Sequence, residues 1–209
     1  MRYAMAMQPT RQYMTFEQYL LLVNNSEQSY EYYDGEVRLM AGGTSNHATI
    51  ALNCGVALDR ALGDDTVCRP YVADKLVRVA PTKTLIPDVV VTCDTSDHGE
   101  SQIINSPILI VEVLSKSTEM IDRFVKLALY QAKESIQEIV FISQYIQRVE
   151  VFSRTTADWG YHQYGAGQSF FLKSLDIEIE VRQLYRRLAI PVVIEEIEQE
   201  DMPEPENNE

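Results

Sequence analysis

The stretch Ile108-Leu109-Ile110-Val111-Glu112-Val113-Leu114 is the most apolar run of this 209-residue chain, and it decides the fold. A run this short and this rich in β-branched residues predicts a strand buried on both faces of a sheet. Glu112 lies inside the run, where an ionised carboxylate is costly unless a partner compensates its charge. The partner is either structural, such as backbone N–H groups or an arginine, or a cation that belongs to a functional site.

A second carboxylate lies at the start of another apolar strand, in Ile86-Pro87-Asp88-Val89-Val90-Val91. Pro87 fixes the entry of the chain and cannot donate to a strand ladder. Seen alone, Asp88 could simply satisfy the amides of a turn. Two carboxylates at two buried strands favour a shared divalent cation, which takes hard oxygen ligands together with water and substrate phosphate. We therefore predict that Asp88 and Glu112 are ligands of a shared metal ion.

With these residues in place, the chain resembles the PD-(D/E)xK nuclease superfamily and, more narrowly, the Uma-type endonuclease family, over roughly residues 15 to 188. The resemblance is carried by Pro87-Asp88, by Glu112 at 24 residues after Asp88, by residues 30–36 and 112–118, by His47, and by the series Asp122, Lys126 and Tyr130. It implies a restriction-endonuclease-like core, which is an α/β (α+β) fold with a mixed β-sheet flanked by helices. It also implies phosphodiester hydrolysis that uses Mg²⁺ or Mn²⁺ and acts on nucleic acid, with DNA expected and with Asp88 and Glu112 as catalytic residues.

The sequence departs from the superfamily motif at one position. Two residues past Glu112, where the superfamily has its lysine, this chain has Leu114. In related groups a following helix supplies that lysine, and the resemblance assigns the role to Lys126. The same substitution also fits a nuclease-like fold that has lost activity and serves as a binding or scaffold protein.

The helix that carries Lys126 shows an amphipathic pattern. Ser117 or Thr118 can cap it. The apolar face that we expect to be buried consists of Ile121, Phe124, Val125, Ala128 and Ala132. Asp122, Lys126 and Tyr130 form a neighbouring stripe away from the centre of that face. Lys126 then either forms an exposed pair with Asp122, worth about 0.2 to 0.5 kcal/mol, or reaches the scissile phosphate.

Glu31 lies in the first of two short β-prone segments, residues 29–33 and 36–40, joined by Asp34-Gly35. Asp-Gly is the strongest short-range hairpin signal, because both residues accept the positive φ of a type I′ turn. Alternation along the strand turns Glu31 away from its tyrosine neighbours. It is either an ordinary solvent-facing residue or, as the resemblance implies, a further catalytic-site carboxylate that binds the metal or supports its ligands.

His47 begins a helix that we expect to run to about Leu62, with Ser45 or Asn46 as its cap. A histidine in the first turn of a helix can be purely structural. Because the N–H groups and dipole of a helix N-terminus favour anions, His47 is alternatively a candidate for binding substrate phosphate.

The remaining pattern predicts one domain over residues 15–190. Thr15-Phe16-Glu17-Gln18 resembles a capping box that opens an N-terminal helix, and alternating strands and helices without an internal repeat favour an α/β or α+β fold. Residues 1–14 form an N-terminal extension. Residues 191–209 form an acidic tail that we expect to be disordered, because it contains eight carboxylates and no Lys or Arg.

Charge sets a limit on the nucleic-acid hypothesis. The formal net charge is −13, and subtracting the eight carboxylates after Pro191 leaves −5 for the rest. No basic stripe of the kind that dominates non-specific DNA affinity is obvious in the sequence. This is the strongest argument against a free-standing nuclease.

The three cysteines, Cys54, Cys68 and Cys93, lack metal-site or redox spacing. We therefore expect reduced, buried thiols in a cytoplasmic protein. No apolar segment is long enough to span a membrane, and no secretory pattern is present. A homo-oligomer, for example a dimer through residues 145–152, is the expected assembly if the protein acts as a scaffold.

Overall fold

The computed structural model describes residues 13–40 and 42–192 of the chain. The predicted extension and acidic tail therefore lie outside the described residues, except for residues 13, 14, 191 and 192. The helices are α1 (Phe16–Asn24), α2 (Ser45–Leu62), α3 (Glu119–Ile121), α4 (Leu127–Ala132) and α5 (Val181–Leu184), with a π-helical turn (Asp122–Lys126) that joins α3 to α4. The strands are β1 (Tyr30–Tyr33), β2 (Glu36–Leu39), β3 (Arg69–Val72), β4 (Leu76–Ala80), β5 (Lys83–Leu85), β6 (Val89–Thr92), β7 (Ile103–Ile104), β8 (Pro107–Leu114), β9 (Glu138–Ser143), β10 (Arg148–Arg154), β11 (Trp159–Gly165), β12 (Ser169–Leu172) and β13 (Ile177–Glu180).

The central sheet is mixed and has the order β11-β10-β9-β8-β6-β3. Strand β8 lies inside it, parallel to β9 and antiparallel to β6. Every residue of β8 except Ile108 is buried, which confirms a strand covered on both faces. Because a parallel pair needs a long crossover, the segment between β8 and β9 has to cross one face of the sheet, and that segment carries Lys126.

The two faces of the central sheet have different covers. On one face, α2 packs through Ile50 and Leu58 against alternate residues of β6 and β8, including Val111. On the other face lies a second sheet of order β2-β1-β5-β4-β7. Ile110 and Leu114 belong to the core on this second side. Glu112 lies between them in sequence, and alternate residues of a strand point to the same face. Its side chain therefore points into the space between the two sheets.

Local sequence signals placed the N-terminal elements correctly. Thr15 forms the capping box of α1 with Gln18. Asp34 and Gly35 connect β1 to β2 with φ of 49° and 95°, as a type I′ turn requires. The cap of α2 differs from the prediction, because Thr44 rather than Ser45 or Asn46 accepts the hydrogen bond.

The Lys126 helix, defined as residues 119–132, has the opposite orientation from the prediction. Its supposed core face is exposed, with Phe124 69% and Val125 40% accessible, whereas Asp122 and Lys126 are 2% and 5% accessible. Within the π-helical turn, the N–H of Leu127 donates to the carbonyl of Asp122, five residues earlier. The prediction of a buried apolar face was therefore wrong. Thr118 is the N-cap residue, but its side chain forms no capping hydrogen bond.

The prediction of three reduced cysteines was also wrong. Cys68 precedes β3 and Cys93 follows β6, and the antiparallel register of these strands places the two residues opposite one another, where they form a disulfide. Cys54 is a buried free thiol, as expected. The sequence contained no local signal for the pair, because strand register brings together residues 25 positions apart.

The dimer face expected at residues 145–152 stays a prediction, and within this range Tyr145 is exposed. β10 pairs with β9 on one side and β11 on the other, and Val149 and Val151 are buried. Among the described residues, no helix has the length and apolarity needed to cross a membrane.

Arg123 attaches the Lys126 helix to strand β10. Its guanidinium donates to both carboxylate oxygens of Glu150 on β10, at 2.8 and 2.7 Å, and also contacts Glu119 at 2.9 Å. Burial raises the pKa of Glu150, but the hydrogen bonds and charge of Arg123 outweigh burial and hold this pKa below its usual value. The helix is thus attached to the sheet by a two-point ion pair.

This ion pair predicts an acid-dependent loss of stability. Since the folded pKa of Glu150 is lowered, its contribution is complete above the unfolded pKa of about 4.3 and is lost as pH falls through the folded value. We expect Glu150→Gln to lower the free energy of unfolding by about 1–2 kcal/mol at pH 7, measured by urea denaturation. The difference from wild type should shrink below pH 4.

The control is Glu119→Gln, which removes the more exposed partner of the same arginine and should cost about 0.3–0.5 kcal/mol. A Glu150→Gln effect that stays constant from pH 7 to pH 3 would contradict the assignment.

Candidate active site

Asp88 and Glu112 line one cleft of about 330 Å³, together with His47, Asp122 and Lys126. The cleft lies where β6 and β8 meet the first turn of α2 and the Lys126 helix. Two acids that are 24 residues apart in sequence thus converge on one space, as the sequence predicted. Their roles as metal ligands and catalytic groups stay predictions.

Glu112 is compensated by two neighbours in the Lys126 helix. Its Oε1 accepts hydrogen bonds from Lys126 Nζ at 3.1 Å and from the hydroxyl of Tyr130 at 2.6 Å. Burial raises the pKa of Glu112 well above its usual value, the Lys126 charge opposes the rise, and the charges of Asp88 and Asp122 add to it. Glu112 therefore lies in a field of neighbouring carboxylates that one lysine only partly offsets.

Lys126 is a buried cation among three carboxylates. Its Nζ lies 2.9 Å from Glu31 Oε1, 3.1 Å from Glu112 Oε1 and 3.5 Å from Asp122 Oδ1. Burial lowers the pKa of Lys126, but the three carboxylates outweigh it and raise this pKa well above the usual value. The ammonium therefore stays charged, and the alternative of an exposed Asp122 pair is wrong.

Glu31 approaches Lys126 from the second sheet. It is only 6% accessible, so the alternative of a solvent-facing residue is also wrong. Its Oε2 accepts a hydrogen bond from the Tyr33 hydroxyl at 2.8 Å, and its Oε1 accepts one from the backbone N–H of Ile86 at 3.2 Å. Glu31 is not among the residues that line the cleft, and it positions Lys126 from behind.

Asp88 is oriented by two donors. Its Oδ1 lies 2.7 Å from His47 Nε2, and its Oδ2 accepts a hydrogen bond from the backbone N–H of Val113 at 2.6 Å. The hydrogen bond with Asp88 raises the pKa of His47, and burial only partly opposes this. Because Val113 directly follows Glu112, this contact fixes the two acids relative to each other. His47 lines the cleft, and its role in phosphate binding stays a prediction.

Asp122 is the functional candidate that sequence reasoning missed. Its Oδ1 is buried and accepts no hydrogen bond from any described residue, and burial raises its pKa. The signal was present as the polar stripe of Asp122, Lys126 and Tyr130. It was assigned to the periphery because the apolar face of the same helix was expected to point inward.

The donor set fits a hydrated divalent cation. The four carboxylates of Glu31, Asp88, Glu112 and Asp122 face two possible cations, Lys126 and His47, so negative charge is in excess. Within the described part of the chain, no three His, Cys, Asp or Glu side chains form a ready metal cage. Two carboxylates on a polar cleft suit Mg²⁺, which keeps several waters and often takes only one or two carboxylates.

Comparison with known proteins identifies the family. The Uma2 family, described as "Putative restriction endonuclease", matches residues 16–191. This chain belongs to the Uma2 family. The Uncharacterized protein slr1290 of Synechocystis sp. is 33% identical to it over 175 residues, which cover 83% of this chain and 92% of that protein. The Uncharacterized protein sll1609 of the same strain is 28% identical over 149 residues, covering 69% and 83%.

A solved structure confirms the fold of this Uma2 protein. The crystal structure of "a putative nuclease belonging to DUF820" from Anabaena variabilis ATCC 29413 matches with a TM-score of 0.64. The match covers 82% of this chain and 97% of that one, at 17% identity. At this identity the likeness is one of fold, and it confirms the predicted mixed-sheet, restriction-endonuclease-like architecture.

The buried lysine leads to a stability prediction. Lys126→Met removes the cation shared by Glu31, Glu112 and Asp122, and leaves buried carboxylates uncompensated. We expect the free energy of unfolding at pH 7 to fall by about 3–5 kcal/mol, measured by urea denaturation. The matched control Lys116→Met, an exposed lysine stacked on Tyr145, should cost less than about 1 kcal/mol. Equal costs for the two variants would show that Lys126 is not the central cation.

Proposed function

We propose that this Uma2 protein is a nuclease that hydrolyses phosphodiester bonds in DNA with Mg²⁺ or Mn²⁺. One observation carries the proposal: Asp88 and Glu112 line one cleft, and Lys126 donates to Glu112 at 3.1 Å. The family description supports nuclease chemistry in general. The metal dependence and the DNA substrate are our proposals.

Asp88 and Glu112 are the residues that we expect to hold the metal ion. Both hydrogen bonds to Glu112 fall on Oε1, so Oε2 is its expected ligand atom. Each oxygen of Asp88 accepts one hydrogen bond and retains a second lone pair. When bound, the metal supplies polarisation of the phosphate and a lower pKa of the attacking water.

The protein side chains have separate tasks in this mechanism. Lys126 lines the cleft and presents a permanent positive charge, which can stabilise the charge that develops on the phosphate oxygens or orient the attacking water. Glu31 and Asp122 hold the lysine in place. His47 and the N–H of Val113 hold the Asp88 carboxylate toward the cleft, so that the acidic pair is oriented before substrate binds.

The metal and cleavage proposals are tested with the same variants. We expect Asp88→Asn to abolish Mg²⁺ and Mn²⁺ binding in calorimetry, because one of two carboxylate ligands is lost. We expect Glu112→Ala to abolish metal-dependent cleavage of single-stranded, duplex and branched DNA. Asp74→Asn is the matched control, because Asp74 also lines the cleft but bonds to Ser29, and it should retain both properties.

An unchanged binding isotherm for Asp88→Asn would contradict the ligand assignment. Cleavage that survives Glu112→Ala would come from a contaminant or from another site. An absence of cleavage by wild type on all three DNA forms would overturn the nuclease proposal.

The second candidate is a catalytically inactive, nuclease-like scaffold that forms a homodimer. The exposed apolar face of the Lys126 helix favours it, with Met120 70% and Phe124 69% accessible and Ile121 and Val125 beside them. Contiguous exposed apolar residues mark protein contact surfaces. The replacement of the motif lysine by Leu114 is consistent with lost catalysis.

This candidate predicts the effect of one exposed phenylalanine. If a second copy covers the Lys126 helix, Phe124→Ser should shift the protein from dimer to monomer in sedimentation velocity without loss of folded stability. Phe171→Ser is the control, because Phe171 is also exposed but lies on β12. A monomeric wild type, or equal effects of the two changes, would contradict the proposed interface.

A further inference from the structure

A cluster of unpaired arginines lies on the surface where α2 meets α5. Arg60 and Arg186 line the same cavity of about 330 Å³, and Arg187 follows directly in sequence. Among the described residues, none of the three side chains has a hydrogen-bond or ion-pair partner. The other described arginines each contact a carboxylate, a carbonyl or an aromatic ring; they are Arg38, Arg69, Arg78, Arg123, Arg148, Arg154 and Arg182.

This cluster is unusual in a chain with a net charge of −13. Carboxylates greatly outnumber cations in this chain, so most arginines could find an acidic partner within the protein. Three arginines without such a partner on one surface therefore stand out. Glu178 and Gln183 also line the cavity, and Glu178 forms no ion pair with the arginines. The guanidinium fork matches the geometry of a phosphate. The local surface is therefore suited to a polyanion even though the whole chain is acidic.

Helix α2 connects the cluster to the candidate active site. His47 lies in its first turn and lines the cleft. Asn46, Asn53 and Arg60 lie at intervals of seven residues along α2. This spacing keeps them on one side of the helix, with a drift of about 20° per interval. At 1.5 Å per residue, Arg60 lies about 20 Å along the axis from Asn46. That length corresponds to about six base pairs of duplex at 3.4 Å each.

Asn53 fixes the position of Arg186 against this side of α2. Its Nδ2 donates to the carbonyl oxygens of Leu184 at 3.0 Å and Arg186 at 2.9 Å. The backbone that carries Arg186 and Arg187 is therefore attached midway between the cleft and Arg60. The arginines therefore lie on a surface that runs along α2 toward the helix end that carries the cleft residue His47.

We propose that the side of α2 from Asn46 to Arg60, with Arg186 and Arg187, binds the phosphate backbone of DNA outside the cleft. The inference rests on the proposed nuclease function and extends it. It assigns non-specific affinity for DNA to one surface of a domain whose net charge is otherwise negative. Contacts to phosphates position a nucleic acid without reading its sequence. The surface therefore orients the strand that enters the cleft.

The test uses the double variant Arg60→Gln/Arg186→Gln. The probe is a fluorescein-labelled 30-bp duplex in EDTA, where cleavage does not interfere, and binding is followed by anisotropy between 50 and 200 mM salt. Each lost phosphate contact removes about 0.9 from the slope of log K against log salt. We expect weaker binding and a slope smaller in magnitude by about 1.8. Glu178→Gln removes the one carboxylate of the cavity and should strengthen binding.

The matched control is Lys133→Gln/Lys173→Gln, which removes the same charge from other surfaces and should leave the slope nearly unchanged. Equal slopes for the arginine and lysine variants, or no effect of Glu178→Gln, would overturn the inference.

Cleavage by wild type separates this inference from the proposed function. Cleavage without an arginine effect on binding overturns the inference and leaves the nuclease proposal intact. Arginine-dependent binding without cleavage supports the inference and overturns the nuclease proposal. An absence of binding by wild type overturns the inference whatever the cleavage assay shows.

Discussion

The contact of one buried ammonium with three carboxylates is the constraint on which the rest of this structure depends. Lys126 joins Glu31 of the second sheet, Glu112 of the central sheet and Asp122 of its own helix. Breaking a buried pair costs about 3–5 kcal/mol, because the remaining charge has no solvent. The position of Glu112 inside β8 is set by the apolar residues around it, so the cation has to come to the carboxylate.

This requirement explains the orientation of the Lys126 helix. If its apolar face were turned inward, Phe124 would gain about 1.5–3 kcal/mol from burial, but Glu112 would face hydrocarbon without a cation. The two magnitudes are similar for one side chain, and the charge cluster also involves Glu31 and Asp122. Compensation of charge and the Arg123–Glu150 ion pair both favour the observed orientation. The π-helical turn accommodates it by placing Asp122 and Lys126 on the inward side, and such turns are frequent at functional sites.

The parts of the fold that were predictable are those with local causes. The apolar run of β8, the Asp34-Gly35 turn and the Thr15 capping box each fix a conformation through neighbours in sequence. The convergence of Asp88 and Glu112 on one cleft was predictable because each carboxylate is placed by its own apolar strand segment. The burial of Glu31, the inverted Lys126 helix and the Cys68–Cys93 pair depend on which elements pack together. Amphipathic spacing identified the polar and apolar sides of the helix, but it could not show which side faces Glu112.

Because Lys126 comes from a helix and not from β8, its position and that of the carboxylates are set by different elements. In a motif with lysine two residues after the acid, strand geometry alone fixes the lysine relative to the carboxylate. Here Leu114 fills that position, so the geometry of Asp88 and Glu112 is set by β6, β8 and the Val113 contact, whereas that of Lys126 is set by the helix. The Arg123–Glu150 ion pair attaches this helix to β10. The acidic pair and the ammonium are therefore held by different elements, and the placement of the ammonium depends on the contacts that attach this helix to the two sheets.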